Sequence, residues 1–296
     1  SGSVENILMQ WLFDDVLPLP KVAPRQGALH WLHAYDLAEC RTGHMMITLT
    51  PTPDHAFQMM VDEGFEEGHQ WLGYDVEELL EQIDDAMDTM RKWVRTHDAM
   101  DLWGKAQERH VALGAVHDIN EACSSPQFEH RGFLTQNQAS SVVQPGRLVR
   151  FSHTPSVPLQ PPAEAETPIE MIIGRWSQTS QSVIEEPVEE AEPSLPLTGV
   201  RVLDLTWVLA GPFATRMLAD LGADVIRVQN EEHSTLVNRP DYPYYFVWGR
   251  GKRSATLDMK HPDALKTIRR LIENCDVLIE NYSAGVLDGW GLDWET

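Results

Sequence analysis

A chain of 296 residues with 45 acidic and 23 basic side chains can hold an anion only where its cations are gathered. Arg250-Gly251-Lys252-Arg253 gathers them, and Lys260 follows closely. This cluster is either a solvated loop or a phosphate-binding patch, since guanidinium and ammonium groups make charge-assisted hydrogen bonds to phosphoryl oxygens. Ala210-Gly211-Pro212 stands between an apolar run and a helical pattern. Glycine admits close backbone approach, proline suits a first helical turn, and the N–H groups left over at a helix start favour an anion. Asn281-Tyr282 closes another apolar run and offers an amide and an aromatic ring to a purine or a pantetheine amide. Neither Gly-x-Gly-x-x-Gly nor a P-loop occurs in the sequence, so nicotinamide, flavin and nucleoside triphosphate readings lack their fingerprint. His30 and His33 have no acidic partner at ligand spacing. His117-Asp118 would be a polarised pair, but sequence neighbours seldom face each other, and all of these read as surface or packed histidines. The three cysteines, Cys40, Cys123 and Cys275, are odd in number and widely spaced. That favours buried thiols over a disulfide framework or a zinc site.

Positioning these groups requires a parallel sheet with helical crossovers. Residues 200–205 read as a strand, 213–221 as a helix and 224–228 as a second strand. Residues 254–259 read as a third strand, and 276–280 as a fourth. Between these last two, Pro262 opens a helix reaching about Asn274, with Leu265, Ile268, Leu271 and Ile272 toward the sheet. Residues 286–290 begin a further short helix. Alternating short apolar runs and helices mark a doubly wound α/β unit. The basic cluster, Lys260 and Asn281-Tyr282 are expected at its carboxyl edge, where such folds bind ligands.

Upstream, residues 4–34 contain an apolar-acidic segment, 7–16, followed by Pro18, Pro20 and Pro24. A strand is expected over 44–50, then a helix from Asp54 as N-cap to about Glu63. Residues 76–96 read as one long helix, because Val76, Leu79, Leu80, Ile83, Met87, Met90 and Val94 recur at helical spacing. Residues 99–113 read as another, with Leu102, Trp103, Ala106 and Val111 inward. Two short helices flank Ser125-Pro126, and 146–153 is β-like. Residues 156–195 are rich in Pro and Glu around an apolar island, 169–176, and read as a linker. The expected domains are therefore 4–155, 156–195 and 196–296. The expected fold class is α/β: an incomplete Rossmann-like parallel sheet downstream and an α+β small domain upstream. A net charge of −22 disfavours nucleic acid and anionic membrane as partners. No apolar run approaches the ~20 residues needed to span a bilayer. Ser1-Gly2-Ser3 is followed by no signal-peptide pattern, so a cytoplasmic protein is expected.

The segment Pro196-Leu-Thr-Gly-Val-Arg-Val-Leu-Asp-Leu-Thr-Trp-Val-Leu-Ala-Gly-Pro-Phe-Ala-Thr-Arg216 and its continuation to Val228 closely resemble the start of class III CoA-transferases. This is the CaiB/BaiF type, which includes formyl-CoA and carnitine CoA-transferases and 2-methylacyl-CoA racemases. The resemblance continues through Gly251-Lys-Arg-Ser-Ala-Thr-Leu-Asp-Met-Lys260 and from Asp276 to Glu295, covering essentially all of 196–296. Upstream, Ala112-Leu-Gly-Ala-Val116, Ser125-Pro-Gln-Phe-Glu-His-Arg-Gly132 and residues 146–155 resemble the other end of the same family. The order is thus reversed, which implies either a piece of a protein with two fused modules or a circularly permuted single module.

The resemblance implies transfer of CoA between an acyl-CoA and a carboxylate acceptor, with CoA as substrate and no metal or redox cofactor. It implies an interlocked homodimer or an intramolecular pair of modules. It also implies an acyl-carrying aspartate, expected beyond the position matching Thr296. Carried over residue by residue, the CoA contacts are Ala210, Leu257, Lys260, Asn281 and Tyr282, with Arg250, Lys252 and Arg253 as supporting charge. Leu209 stands where formyl-CoA enzymes have an amide side chain, Gln229 where an acid is usual, and Gly289 where an Arg contacts phosphate. Arg25-Gln-Gly-Ala28 lacks a Gly-rich loop seen in some members. Two alternatives remain open: epimerisation of 2-methylacyl-CoA, which needs a proton-transferring pair, and a catalytically silent scaffolding module.

Overall fold

The computed structural model describes residues 33–49, 52–136, 142–146, 148–154, 167–179, 194–230 and 243–293. Segment 7–16, Arg25–Ala28, Pro155, linker residues 156–166 and 180–193, and residues 294–296 lie outside that set. The described residues form two units, one within 33–179 and one within 194–293.

The first unit starts with antiparallel strands β1 (Tyr35–Glu39) and β2 (His44–Thr48), registered from Tyr35↔Thr48 to Glu39↔His44. Strand residues alternate faces, so Met45 and Ile47 are buried while Met46 is exposed. Helix α1 (Pro53–Asp62), a 3-10 helix (Glu66–Trp71), α2 (Val76–Glu81), α3 (Ile83–Val94) and α4 (Ala99–Glu108) follow. They bury Phe57, Met60, Leu79, Met87, Met90, Trp93 and Leu102 in one cluster with Met45 and Ile47. Strand β3 (Leu113–Ala115) completes the sheet in the order β1-β2-β3. Two short helices, α5 (Ile119–Cys123) and α6 (Pro126–Arg131), lead to the antiparallel pair β4 (Leu134–Gln136) and β5 (Val143–Pro145).

Several expectations are corrected here. Helix α1 starts at Pro53 with Thr52 as its N-cap residue; Asp54 sits in the first turn, and its carboxylate accepts from Gly73 N–H at 3.0 Å. The single helix over 76–96 breaks at Gln82, whose φ of −119° and ψ of 22° leave the helical region. Apolar spacing persists across that break, so periodicity alone cannot reveal it. The helix over 99–113 ends at Glu108 because His110 takes a φ of 56°, and Leu113 becomes a strand residue. The strand expected over 146–153 lies at Val143–Pro145 instead. The apolar island 169–176 belongs to helix α7 (Ile169–Thr179), so that part of the expected linker has regular structure. Asp118 caps α5 through Asn120 and Glu121 N–H, while the His117 ring packs edge-on to Trp103.

The second unit runs β6 (Arg201–Asp204), α8 (Ala210–Asp220), β7 (Asp224–Gln229), α9 (Pro243–Gly249), β8 (Arg253–Thr256), α10 (Ala264–Ile272), β9 (Val277–Ile279) and α11 (Val286–Gly289). Its four strands are parallel, in the order β8-β7-β6-β9. Alternation along β6 and β7 separates two layers. Val202 and Val225 pack with Leu218 and Ala219 of α8, whereas Leu203, Leu205, Ile226 and Val228 pack with Ile268 of α10. Strand β8 stops at Thr256 and α10 starts at Ala264, so Pro262 precedes the helix. Helix α9 was not foreseen; its Tyr244 and Trp248 rings stack at 4.5 Å.

Arg201 and Asp276 tie β6 to the start of β9. Arg201 N, Nε and Nη2 donate to the Asp276 carboxylate at 2.8, 3.1 and 3.0 Å, and Asp276 N donates to Arg201 O at 2.9 Å. The guanidinium and backbone N–H of Arg201 lower the Asp276 carboxyl from its ordinary 3.8 to about 2. A carboxyl depressed by folding stabilises the native state above its unfolded pKa, and the effect fades as pH falls through the folded value. Urea unfolding of Asp276→Asn is therefore expected to show a stability deficit at neutral pH that closes between about pH 4 and pH 2.

Candidate functional site

Asp204 is the last residue of β6, and its side chain faces α8 with no exposed surface. Its Oδ1 accepts from Thr206 N at 2.9 Å and Thr206 Oγ1 at 2.5 Å. Its Oδ2 accepts from Thr215 Oγ1 at 2.6 Å and from Lys252 Nζ at 2.9 Å. Lys252, whose side chain is 1% exposed, also donates to Thr215 Oγ1 at 2.7 Å and to Pro212 O at 2.9 Å. Burial pushes the Lys252 ammonium down, Asp204 opposes that, and Arg227 and Arg216 add to it. Arg227 is buried beside Asp204 in register, with Tyr245 of α9 under its guanidinium at 5.5 Å. One ion pair thus joins the end of β6, the first turns of α8 and the approach to β8.

Above it lies the turn from β6 to α8. Leu205 N donates to Ile279 O at 2.9 Å. Two residues further on, Trp207 N donates to Asn281 Oδ1 at 2.9 Å, and Asn281 Nδ2 donates to Trp207 O at 3.0 Å. Val208 then takes a φ of 63°, a region costly for a β-branched residue. A Cβ on Gly211 would fall on the Thr206 side chain, so only glycine lets α8 start this close to the turn.

Ala210, Leu257, Lys260, Asn281 and Tyr282 all follow strands at their carboxyl ends. Ala210 is the exposed first residue of α8. Leu257 and Tyr282 are half-buried against the α10 layer; Leu257 N donates to Gln229 O at 3.0 Å. Burial raises the Tyr282 phenol, and Glu280 and Asp204 add to the rise; its ring meets Trp290 edge-on at 5.4 Å. Lys260 is exposed, and its N–H donates to Asp258 Oδ1 at 2.9 Å. Since β8 and β9 are the two edges of the sheet, the Leu257–Lys260 and Asn281–Tyr282 groups stand three strand spacings apart, about 14 Å.

The basic cluster is placed differently from its expectation. Arg253 opens β8, so Arg250, Lys252 and Arg253 lie at the amino-terminal end of that strand rather than at the carboxyl edge. Arg250 pairs with Asp220 at 3.1 Å. Arg253 grips the carboxylate of Asp224, with Nε at 2.9 Å. Lys252 is consumed by Asp204. Sequence reading saw the local excess of charge but not the acids that folding brings opposite. Asp204 itself was missed, although an acid in phase with Val202 inside an apolar strand was a legible signal. The Asn281 grip on Trp207 joins residues 74 apart and left none.

A family model described as CoA-transferase family III matches residues 4–167 and 197–296. The succinate–glutarate CoA-transferase of Agrobacterium fabrum is 43% identical over 114 residues, 34% of this chain and 28% of that protein. The formyl-CoA:oxalate CoA-transferase of Bradyrhizobium diazoefficiens is 42% identical over 106 residues, 33% of this chain and 25% of that protein. A crystal structure of a CAIB/BAIF family protein from Brucella suis shares 38% identity over 35% of this chain and 30% of that one, with a TM-score of 0.32. The chain therefore spans only about a quarter to three tenths of the length of these relatives. Among the described residues no helix is long and apolar enough to cross a membrane.

Removing one partner of a buried ion pair strands the other. Lys252→Met is expected to lower the unfolding free energy by about 3–5 kcal/mol. Arg253→Ala, at a solvent-exposed pair, is expected to change it far less. Denaturant titration of both variants checks the assignment.

Proposed function

Because the chain belongs to CoA-transferase family III, we propose that its second unit is the Rossmann-like, CoA-binding half of an enzyme that moves CoA between an acyl-CoA and a carboxylic acid. Residues 4–155 are then a small-domain half, and 156–195 connect it to the CoA-binding half. On this reading the acyl group is carried by an aspartate outside residues 1–296. The carboxylate attacks the thioester carbonyl, and CoA leaves as the thiolate. The described residues contribute the binding and orientation of CoA. No metal or redox group takes part, and CoA enters and leaves as a substrate. The working assembly is two interlocked modules, in one chain or two, in the cytoplasm.

The observation that carries this reading is the convergence of Ala210, Leu257, Lys260, Asn281 and Tyr282 on the carboxyl ends of parallel strands, where open α/β sheets receive ligands. The α8 start offers backbone N–H groups beside Ala210. Leu257 supplies an apolar contact, and Lys260 an exposed cation for phosphate. We leave Arg250, Lys252 and Arg253 out of the contact set, since they stand at the amino-terminal end of β8.

Calorimetric titration of the chain with CoA tests the proposal. Binding is expected, and Lys260→Ala is expected to weaken it about ten-fold, the scale of one charge-assisted hydrogen bond. Arg253→Ala should bind like the parent chain. A folded chain that releases no heat with CoA would overturn the assignment, and equal affinity for Lys260→Ala would remove Lys260 from it.

A further inference from the structure

We infer that Asn281 is a positioning residue: it fixes the β6–α8 turn through the backbone of Trp207 and acts on bound CoA through that turn. The inference rests on the CoA reading above and adds to it a residue role and a rescue that a direct contact would not permit.

Both functional atoms of the Asn281 carboxamide are committed to a single residue, Oδ1 to Trp207 N–H and Nδ2 to Trp207 O. Leu205 N–H to Ile279 O is the last main-chain rung between β6 and β9. Asn281 and Trp207 each lie two residues beyond that rung, so the side chain extends the ladder where the main chains part. Next to it, Val208 holds a φ of 63°. A β-branched residue leaves that region unless its neighbours over-determine it.

The restraints bracket Val208. On one side are the Asn281 grip and the Thr206 bonds to Asp204. On the other, Phe213 N donates to Leu209 O at 3.0 Å as α8 begins. Held this way, the turn exposes Trp207 and Leu209, at 45% and 43%, beside the exposed Ala210. They form an apolar wall at the carboxyl end of β6, and its shape depends on Val208 staying left-handed. Gln229, Leu257 and Tyr282 stand at the carboxyl ends of the other three strands.

The role predicts a specific rescue. Without the grip, Val208 relaxes and the wall is lost. Glycine occupies the left-handed region without steric cost, so Val208→Gly allows the turn to keep its shape unaided.

The test measures CoA affinity by calorimetry, and exchange of the Trp207 amide by NMR without ligand. Asn281→Ala is expected to speed Trp207 exchange at least ten-fold and to weaken CoA about ten-fold, the equilibrium cost of a side chain forced left-handed. Asn281→Ala/Val208→Gly is expected to recover CoA affinity to within a few-fold of the parent chain while Trp207 exchange stays fast. If the second substitution restores nothing, Asn281 acts by direct contact and the inference fails. Unchanged Trp207 exchange in Asn281→Ala overturns it as well. If the parent chain binds no CoA, the functional reading falls by itself, and the exchange measurement still decides whether the grip exists.

Discussion

Lys252 Nζ lies 2.9 Å from Asp204 Oδ2 with both side chains out of water, and much of the second unit is arranged to make that tolerable. An isolated buried charge is far too costly to persist, and a buried pair survives only when its remaining donors and acceptors are met. Here they are met by Thr206, Thr215 and the Pro212 carbonyl. Those partners sit on the turn and on the first two turns of α8. The electrostatic requirement therefore sets where the helix begins relative to the sheet. Gly211 lets it begin there, by leaving room for the Thr206 side chain.

From that anchor the site edge follows in order. Asp204 fixes Thr206, Asn281 fixes Trp207, and Val208 is left in a conformation it would not choose alone. Backbone strain of this kind is an observation from which function is inferred. The strained residue lies at the carboxyl ends of the strands, beside the α8 start and between residues contributed by β6 and β9. The opposite ends of the strands carry the Arg201–Asp276 and Arg253–Asp224 pairs, which tie strands together. The two ends of the sheet thus differ: one carries ion pairs that tie the strands together, and the other carries the strained turn and the candidate site positions.

The parallel unit was largely legible because buried strands read as short apolar runs, and all four were found within a few residues of their places. Periodicity also located the helices, but it could not reveal the break at Gln82 or the reversal at His110, since both depend on single backbone dihedrals. Helix α9 escaped because five consecutive bulky apolar residues, Tyr244 to Trp248, show no polar face. The candidate residues were legible as a set of positions at strand ends. They were not legible as a network, because Asp204–Lys252 and Trp207–Asn281 are pairings made only by the fold. Charge clustering alone placed Arg250, Lys252 and Arg253 at the carboxyl edge, whereas they stand at the amino-terminal end of β8 and pair with carboxylates.

A crystal structure of the chain grown with CoA tests the account most directly. The expected result is CoA lying across the carboxyl ends of β6, β8 and β9. Lys260 would be within hydrogen-bonding distance of a phosphoryl oxygen, and the Asp204–Lys252 pair and the Asn281 grip on Trp207 would be intact. CoA held instead by Arg250, Lys252 and Arg253, with Lys252 drawn away from Asp204, would contradict it.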